Sequence, residues 1–280
     1  MILFLKKIIK KILVLSLHSA CKEQGLSKLA KKLSEIVPDL TEQYTGFNVE
    51  GKYLITKVRS HHAFQISLVL EALGLLGNQD RELSVVDIGD SSGTHLQYLQ
   101  ALVGKNKIRP VSVNLDPMAV KKIRDKGLEA VESRAEKLHV HNDFSRHVDI
   151  FLSFQMIEHL LDPIGFLHTM ALKSECDYFV ITVPFLHQSR VGLYQVRDQK
   201  LAASTFNAES THIFELCPDD WDLIFRFSGW EIVESVRYTQ YPRRNPLTGL
   251  RYLWRKFDFD GFYGVILKKD DSISKRYLDW

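Results

Sequence analysis

Apolar positions between residues 84 and 184 follow two alternating patterns. Runs of apolar residues typical of strands covered on both faces occur in five segments: SVVDIG, VSVNL, LEAV, HVDIFLSF and YFVITVP. Between them, apolar residues recur three or four positions apart, as in Leu96, Leu99 and Leu102, which precede a stop at Gly104. Strands that alternate with helices predict a parallel sheet with helices on both faces.

The alternation ends with the fifth strand. A polar stretch from Phe185 to His212 precedes a predicted helix, which has Pro218 in its first turn and Gly229 as its stop signal. Two further strands, EIVESVRY and FYGVILKK, have no helix between them, so we expect an antiparallel hairpin at the edge of the sheet. The segment that joins them is rich in basic and aromatic residues.

We expect residues from Met1 to about Asp80 to form a helical extension ahead of the main domain. On a helix, the opening segment places lysines on one side and apolar residues on another: Lys6, Lys7, Lys10 and Lys11 against Ile2, Leu5, Ile9 and Ile12. The segment is too short and too charged to span a bilayer, and its lysines interrupt the apolar region of a signal peptide. Two interpretations stay open: residues 1–17 rest on an anionic membrane surface, or the helix packs on the domain or on a partner chain.

The remaining boundaries follow from turn and helix signals. Two more helices are predicted in the extension, from Ser27 to Leu40 and from about His61 to Gly74. The main domain is expected to span residues 81–270, with insertions on the substrate side at about 185–212 and 238–257. Residues 271–280 form a C-terminal tail.

Composition and charge narrow the class of protein. The content of 45% hydrophobic and 25% charged residues is ordinary for a soluble globular chain. The net charge of +3 divides into +7 up to Lys32 and −4 beyond it, so the body is not a basic nucleic-acid surface. Three distant cysteines, Cys21, Cys176 and Cys217, exclude a disulfide framework and a clustered zinc site. A reducing, cytoplasmic location is predicted, with the inner face of the membrane as an alternative.

The stretch from Ser84 to Gly93 carries the first candidate chemistry. A buried strand runs into a turn of small residues and then into a helix, whose unpaired N–H groups would favour an anion. Asp116 follows the next strand, where a carboxylate would accept hydrogen bonds from a ribose diol; a strand-end turn before Pro117 is the alternative. Glu136 is expected at the same edge, or as a helix-start acid.

Six segments, taken in order, resemble the class I S-adenosylmethionine-dependent methyltransferases: VVDIGDSSG, NLDP, SRAEKL, DIFLSFQMIEHLLDP, YFVITVP and THIFELCPDDWDLIFRFSGWEIVE. The likeness covers Ser84 to Leu267 and is greatest for the branch that acts on small molecules, lipids and sugars. It implies an α/β fold, with a Rossmann-like, seven-stranded, mostly parallel sheet that has an antiparallel edge strand. It also implies S-adenosyl-L-methionine as cofactor and no metal.

The resemblance assigns cofactor contacts to ten residues: Asp87, Gly89, Asp90, Ser91 and Gly93 around the methionine part, Asp116 at the ribose, Ala135 and Glu136 beside the adenine, and Phe154 and Gln155 along the pocket. Three positions depart from the family pattern. Asp90 and Ser91 stand where small residues and glycine are common, and Arg134 replaces an acid. Ser91 therefore has to keep a negative φ or tolerate backbone strain, and the Asp90 carboxylate has to point away from the cofactor.

Methyl transfer from a sulfonium is an in-line displacement, in which the protein aligns and desolvates the reactants. A hydroxyl acceptor also needs a general base, for which His159, His187 and His212 are the candidates; each has a structural role as its alternative. The favoured function is O-methylation of a small-molecule, glycan or lipid-linked acceptor. An RNA methyltransferase and a catalytically inactive scaffold are the alternatives, and the oligomeric state is left open.

Overall fold

The computed structural model describes residues 2–141, 147–191, 211–257 and 259–277. Eight α-helices lie in these ranges, besides short 3₁₀ helices: α1 Ile2–Glu23, α2 Ser27–Ile36, α3 Gly51–Leu75, α4 Thr94–Val103, α5 Pro117–Asp125, α6 Pro163–Lys173, α7 Pro218–Phe227 and α8 Arg251–Phe257. The same ranges contain nine strands: β1 Leu83–Ile88, β2 Ile108–Asn114, β3 Glu129–Glu132, β4 Val148–Phe154, β5 Cys176–Phe185, β6 Arg190–Val191, β7 Phe214–Glu215, β8 Trp230–Thr239 and β9 Gly261–Lys269.

Seven of these strands form one sheet in the order β3-β2-β1-β4-β5-β9-β8. The pairs from β3 to β5 are all parallel, whereas β9 runs antiparallel to both of its neighbours, β5 and β8. The predicted Rossmann-like sheet with an antiparallel strand at its edge region is confirmed. The hairpin of β8 and β9 places β9 inside and leaves β8 at the edge, while β6 and β7 form a separate two-stranded pair.

The central strand β1 is buried on both faces because successive side chains point to opposite sides of a strand. Val86 lies in the core that α6 and α7 share with one face of the sheet, together with Phe166 and Trp221. Its neighbour Val85 lies in the core on the other face, together with Phe64 of α3. Successive residues of β1 such as Val85 and Val86 are therefore both apolar because they alternate between two hydrophobic cores, one on each face of the sheet.

Helix α3 packs directly against one face of the sheet. Its residues Phe64, Ile66 and Val69 are fully buried in the same core as strands β1, β4, β5 and β9. The helix begins at Gly51, well before the predicted start at about His61. The domain boundary predicted near residue 80 therefore separates two elements that share one hydrophobic core.

The second half of α1 is packed onto the end of β8 and the segment after it. Leu17 is buried against Tyr241 and Trp254. The Ser16 hydroxyl donates to the carbonyl oxygen of Gln240 at 3.0 Å and accepts from the indole N–H of Trp254 at 3.1 Å. For this half, the structure matches the interpretation of a helix packed on the domain. Across the described residues, no helix is both long and apolar enough to cross a bilayer.

Candidate functional site

The turn after β1 uses glycine where the backbone requires it. Gly89 has φ +93° and Gly93 has φ +72°, both in the left-handed region that L-residues avoid. A Cβ atom on Gly89 would lie 2.7 Å from Cγ of Met156, so the chain after β4 closely approaches this turn. Ser91 does not share the positive φ, and its hydroxyl donates to the carbonyl oxygen of Gln43 at 2.8 Å. The segment before α3 therefore covers the turn.

The Asp90 carboxylate is buried inside the turn. Its Oδ1 atom accepts hydrogen bonds from the backbone N–H groups of Ser92 at 3.0 Å and Gly93 at 2.8 Å. These two N–H groups belong to the turn just before α4, and the chain pairs them with its own carboxylate. The expectation that unpaired N–H groups at the start of α4 favour an anion stays a prediction. The other oxygen, Oδ2, has no hydrogen-bond partner among the described residues.

Asp87 begins a buried polar network that joins β1 to α3 and β5. Its Oδ2 atom lies 3.3 Å from Nδ1 of His95, and Nε2 of that ring lies 3.0 Å from Oε1 of Gln65. The Gln65 amide donates to the Thr182 hydroxyl at 3.2 Å, as does the amide of Gln155. The pKa of Asp87 is raised to about 6, chiefly by burial and also by the charge of the turn carboxylate, while His95 opposes both.

Sequence reasoning missed His95 and Gln65. The only available signal was that His95 follows the glycine turn closely, because Gln65 belongs to a different helix, α3, before the turn. The network ends at Gln155, the one non-glycine residue with positive φ (+54°) in the described ranges. Such conformations are costly and concentrate at functional sites. Phe154, which precedes it, is buried with its ring centroid 4.9 Å from that of His95.

Asp116 lies at the carboxyl end of β2, beside the turn. Strands β1 and β2 meet there, since the Gly89 N–H donates to the Val113 carbonyl at 2.8 Å. Asp116 caps α5 by accepting from the N–H of Met118 at 2.9 Å through Oδ1, and its carboxylate is half-buried. Leu115 and Met118 flank it with 56% and 72% of their surfaces exposed. An acid between two exposed apolar side chains is suited to a ligand that has both a polar and a flat apolar part.

Ala135 and Glu136 begin a 3₁₀ helix, Ala135–Val140, after β3. Both are half-buried, and Ala135 packs against the core of the α6 face. Arg134, which replaces an acid of the family pattern, donates to the Glu136 carboxylate at 3.1 Å. The arginine therefore forms an ion pair with a residue predicted to lie beside the adenine. The pair is largely exposed and contributes little to stability.

The structure brings two of the three candidate histidines together. The rings of His159 and His212 are perpendicular with centroids 4.6 Å apart, at the carboxyl end of β4. His187 is exposed, and the structure shows it only as a backbone donor to the Asp260 carboxylate at 3.0 Å. Beside them Glu158 is fully buried, with a carboxylate oxygen 3.9 Å from Nε2 of His159. Its pKa is raised to about 7, chiefly by burial and against the opposing charge of His212. Residues 192–210 of the predicted insertion lie outside the described residues.

Comparison with family models and with curated proteins finds no match for this sequence. Solved structures do match over most of the chain. The cyclase SpnF has a TM-score of 0.54 at 11% identity, covering 90% of this chain and 97% of its own. A Galdieria sulphuraria protein that carries the name sarcosine dimethylglycine methyltransferase has a TM-score of 0.54 at 11% identity, with 77% and 88% covered.

A third match carries a bound ligand of the expected class. It is the Haemonchus contortus phospholethanolamine N-methyltransferase 2 in complex with phosphomonomethylethanolamine and S-adenosylhomocysteine. Its TM-score is 0.52 at 11% identity, and the match covers 73% of this chain and 52% of that one. The chain has the class I methyltransferase fold. Within that fold, Gly89, Asp116 and Gln155 all lie at the carboxyl ends of adjacent strands, where open α/β sheets bind ligands.

Proposed function

We propose that the chain is an S-adenosylmethionine-dependent methyltransferase that transfers a methyl group to an oxygen of a small-molecule, glycan or lipid-linked acceptor. The observation that supports it most is the position of Asp116 in the methyltransferase fold, half-buried beside the left-handed turn at Gly89. A carboxylate at that place suits the two neighbouring hydroxyls of a ribose, because one carboxylate accepts two hydrogen bonds.

Three features of the edge suit the cofactor. Asp116 uses one lone pair of Oδ1 for the helix cap, and its remaining lone pairs, chiefly those of Oδ2, can accept from the two ribose hydroxyls. Leu115 and Met118 offer exposed apolar surface for the adenine ring. The unpartnered Oδ2 of Asp90 is a buried acceptor that the ammonium group of a bound methionine would satisfy. The methionine carboxylate needs other donors, because Asp90 already occupies two N–H groups of the turn.

The cofactor would supply the activated methyl group, and the residues of this chain would align the acceptor and take up its proton. His159 suits the second task. Its Nδ1 atom lies 2.9 Å from the carbonyl oxygen of Thr211, which can only accept, so Nδ1 carries the hydrogen in the neutral ring. Nε2 is then the nitrogen with the lone pair, and it can act as a base toward a hydroxyl.

The test is incubation of the full-length protein with methyl-labelled S-adenosylmethionine and separate extracts of metabolites, glycans, lipids and RNA. The expected result is label in one of the first three fractions and none with heat-denatured protein. Label confined to RNA would favour the alternative of an RNA methyltransferase. Absence of label from every fraction, together with absence of S-adenosylmethionine binding in calorimetric titration, would contradict the proposed activity.

A catalytically inactive protein is a second candidate, favoured by the Asp90 carboxylate within the turn. The similarity to a protein named as a cyclase also shows that this fold does not by itself imply methyl transfer. Calorimetric titration separates this candidate from an active enzyme. A scaffold that has lost its cofactor site gives no heat with S-adenosylmethionine, whereas an enzyme whose acceptor was absent from the extracts still binds it.

A further inference from the structure

Glu158, His159 and His212 converge at the carboxyl end of β4. One potential ligand atom from each residue lies within 4.8 Å of the other two. Glu158 and His159 belong to the single 3₁₀ turn Ile157–His159 that follows β4, and His212 lies just before β7. These two segments are far apart in the sequence, with α6 and β5 between them, so the fold is what creates the cluster.

Glu158 is the residue that most needs a partner. Its side chain is fully buried, and neither carboxylate oxygen has a hydrogen-bond partner among the described residues. Arg190, on the strand that pairs with β7, forms its ion pair with Glu215 instead. Buried carboxylates are normally paired, hydrogen-bonded or bound to a metal ion, because burial without any of these is strongly unfavourable.

Both histidines have an oxygen atom facing Nδ1. Nδ1 of His159 lies 2.9 Å from the Thr211 carbonyl oxygen, and Nδ1 of His212 lies 3.6 Å from the carboxylate of Glu215. Metal-binding histidines in proteins almost always have such a carbonyl or carboxylate at the second nitrogen, since it fixes the ring and its tautomer. For His159 this makes Nε2 the ligand atom, whereas the His212 contact is longer than a hydrogen bond and orients the ring without fixing its tautomer.

The two segments are also fixed to each other through the backbone. The Ile213 N–H donates to the Glu158 carbonyl at 2.8 Å, and Glu215 pairs with Arg190 in the short β6–β7 ladder. The His212 ring stacks on Phe259 with centroids 5.2 Å apart. The three side chains are therefore positioned by backbone pairing and packing, which a metal site requires.

We propose that Glu158, His159 and His212 bind a divalent transition-metal ion through one carboxylate oxygen and two imidazole nitrogens. Two imidazoles favour zinc, iron or a similar ion over magnesium or calcium, which prefer oxygen ligands. This differs from the sequence-based expectation of no metal. Three protein ligands leave at least one position for water or for an acceptor oxygen. The proposal concerns metal binding alone and does not depend on methyl transfer. A bound ion would take the Nε2 lone pair of His159, so the metal-bound ring would not also serve as the base.

Two other groups of acids and histidines among the described residues lack the combination of an unpartnered buried acid and two adjacent histidines. In the group of Asp87, Asp90 and His95, the acid Asp90 already accepts two backbone N–H groups, and His95 is bonded to Gln65. The group around His147 is largely exposed, and its one buried acid is paired with Arg81. The His147 group instead provides a matched control for metal bound at a surface histidine.

The test is calorimetric titration of Zn²⁺ and Co²⁺ into full-length protein that has been treated with EDTA and dialysed. We expect one equivalent to bind, and the affinity to fall at least about tenfold in Glu158→Gln and in His212→Gln. His147→Gln should bind as the wild type does. The Co²⁺ complex should show visible absorption bands of an ion with nitrogen and oxygen ligands, and Mg²⁺ at millimolar concentration should not displace it.

The proposal is overturned if the wild type binds neither ion at millimolar concentration. It is also overturned if Glu158→Gln and His212→Gln bind with wild-type affinity, or if His147→Gln alone loses binding. Circular dichroism shows whether each variant is folded. Should either cluster variant fail to fold, the melting temperature of the wild type decides: removal of metal must lower it, and added Zn²⁺ must restore it.

Discussion

Asp90 and Ser91 show how two residues that depart from the family pattern are accommodated in one turn. Ser91 keeps a negative φ and donates to the Gln43 carbonyl, while Asp90 turns inward and accepts from two N–H groups of the turn. Neither side chain needs a strained backbone. The consequence is electrostatic. The carboxylate of Asp90 lies close to that of Asp87, and its charge adds to the effect of burial in raising the pKa of Asp87.

The raised pKa of Asp87 predicts how stability depends on pH. The ordinary pKa is 3.8 and the folded value about 6, so between these values only the folded protein retains the proton. The free energy of unfolding should therefore fall as the pH rises from about 4 to about 6, by at most about 3 kcal/mol. Relative to the wild type, Asp87→Asn should lose this slope in urea unfolding curves recorded across that range. Curves that stay parallel would contradict the account.

The backbone conformation of Gly89 leads to a prediction about stability. Alanine there would have to adopt φ +93° with its Cβ against Met156, so Gly89→Ala should cost about 1–3 kcal/mol of unfolding free energy. The matched control is Gly249→Ala, since nothing lies within 4 Å of that position and its φ is ordinary. Chemical denaturation compares the two, and equal stabilities would rule out the strained turn.

At the scale of elements, the N-terminal helices divide into packed and exposed faces. Helix α3 fills one face of the sheet, and Arg59 on it ties α2 to α4 by donating to the carbonyls of Leu33 at 3.0 Å and Val37 at 2.7 Å and to the Tyr98 hydroxyl. Helix α1 buries one side against the segment after β8. Its other side is an exposed stripe with helical spacing: Ile8, Lys11, Leu15, His18 and Lys22.

The packed side of α1 can be tested with two leucines of the same helix. Leu17 is fully buried and Leu15 is 59% exposed. Leu17→Ala should lower the free energy of unfolding by about 2–4 kcal/mol, whereas Leu15→Ala should change it by less than about 0.5 kcal/mol. Equal effects in denaturant titrations would mean that α1 does not pack on the domain in solution.

The exposed side of α1 carries the prediction of membrane contact, which the structure leaves as a prediction. Lys10 and Lys11 are exposed there, so the double change to glutamate should reduce sedimentation with vesicles rich in anionic lipid. The control Lys31→Glu with Lys32→Glu makes the same charge change on α2, where both lysines are exposed, and should pellet as the wild type does. Equal pelleting of the two variants would contradict a role for α1.

At the scale of the whole molecule, the sequence pattern predicted those features that depend on neighbouring residues, namely the helices, the strands and the residues at strand ends. Alternating apolar runs and helical spacing predicted the parallel sheet, and they placed Asp116 after the second strand, at the carboxyl edge. The order of the strands was not predicted from these patterns. The first turns of α3 were missed because Gly51 to Lys57 has turn signals and no side-chain cap. The pairing of His159 with His212 depends on long-range contacts that no periodicity encodes.

The proposed function depends most on Asp116, which would hold the sugar of a bound nucleoside. Asparagine can still cap α5, so Asp116→Asn preserves the fold while it replaces one acceptor oxygen by a donor. The measurement is calorimetric titration of S-adenosylhomocysteine into the wild type, this variant, and Asp125→Asn, an exposed acid on the same helix.

We expect the wild type and Asp125→Asn to bind with the same affinity and Asp116→Asn to bind at least about tenfold more weakly. No heat from the wild type at millimolar ligand, or equal affinities for all three proteins, would contradict this role of Asp116.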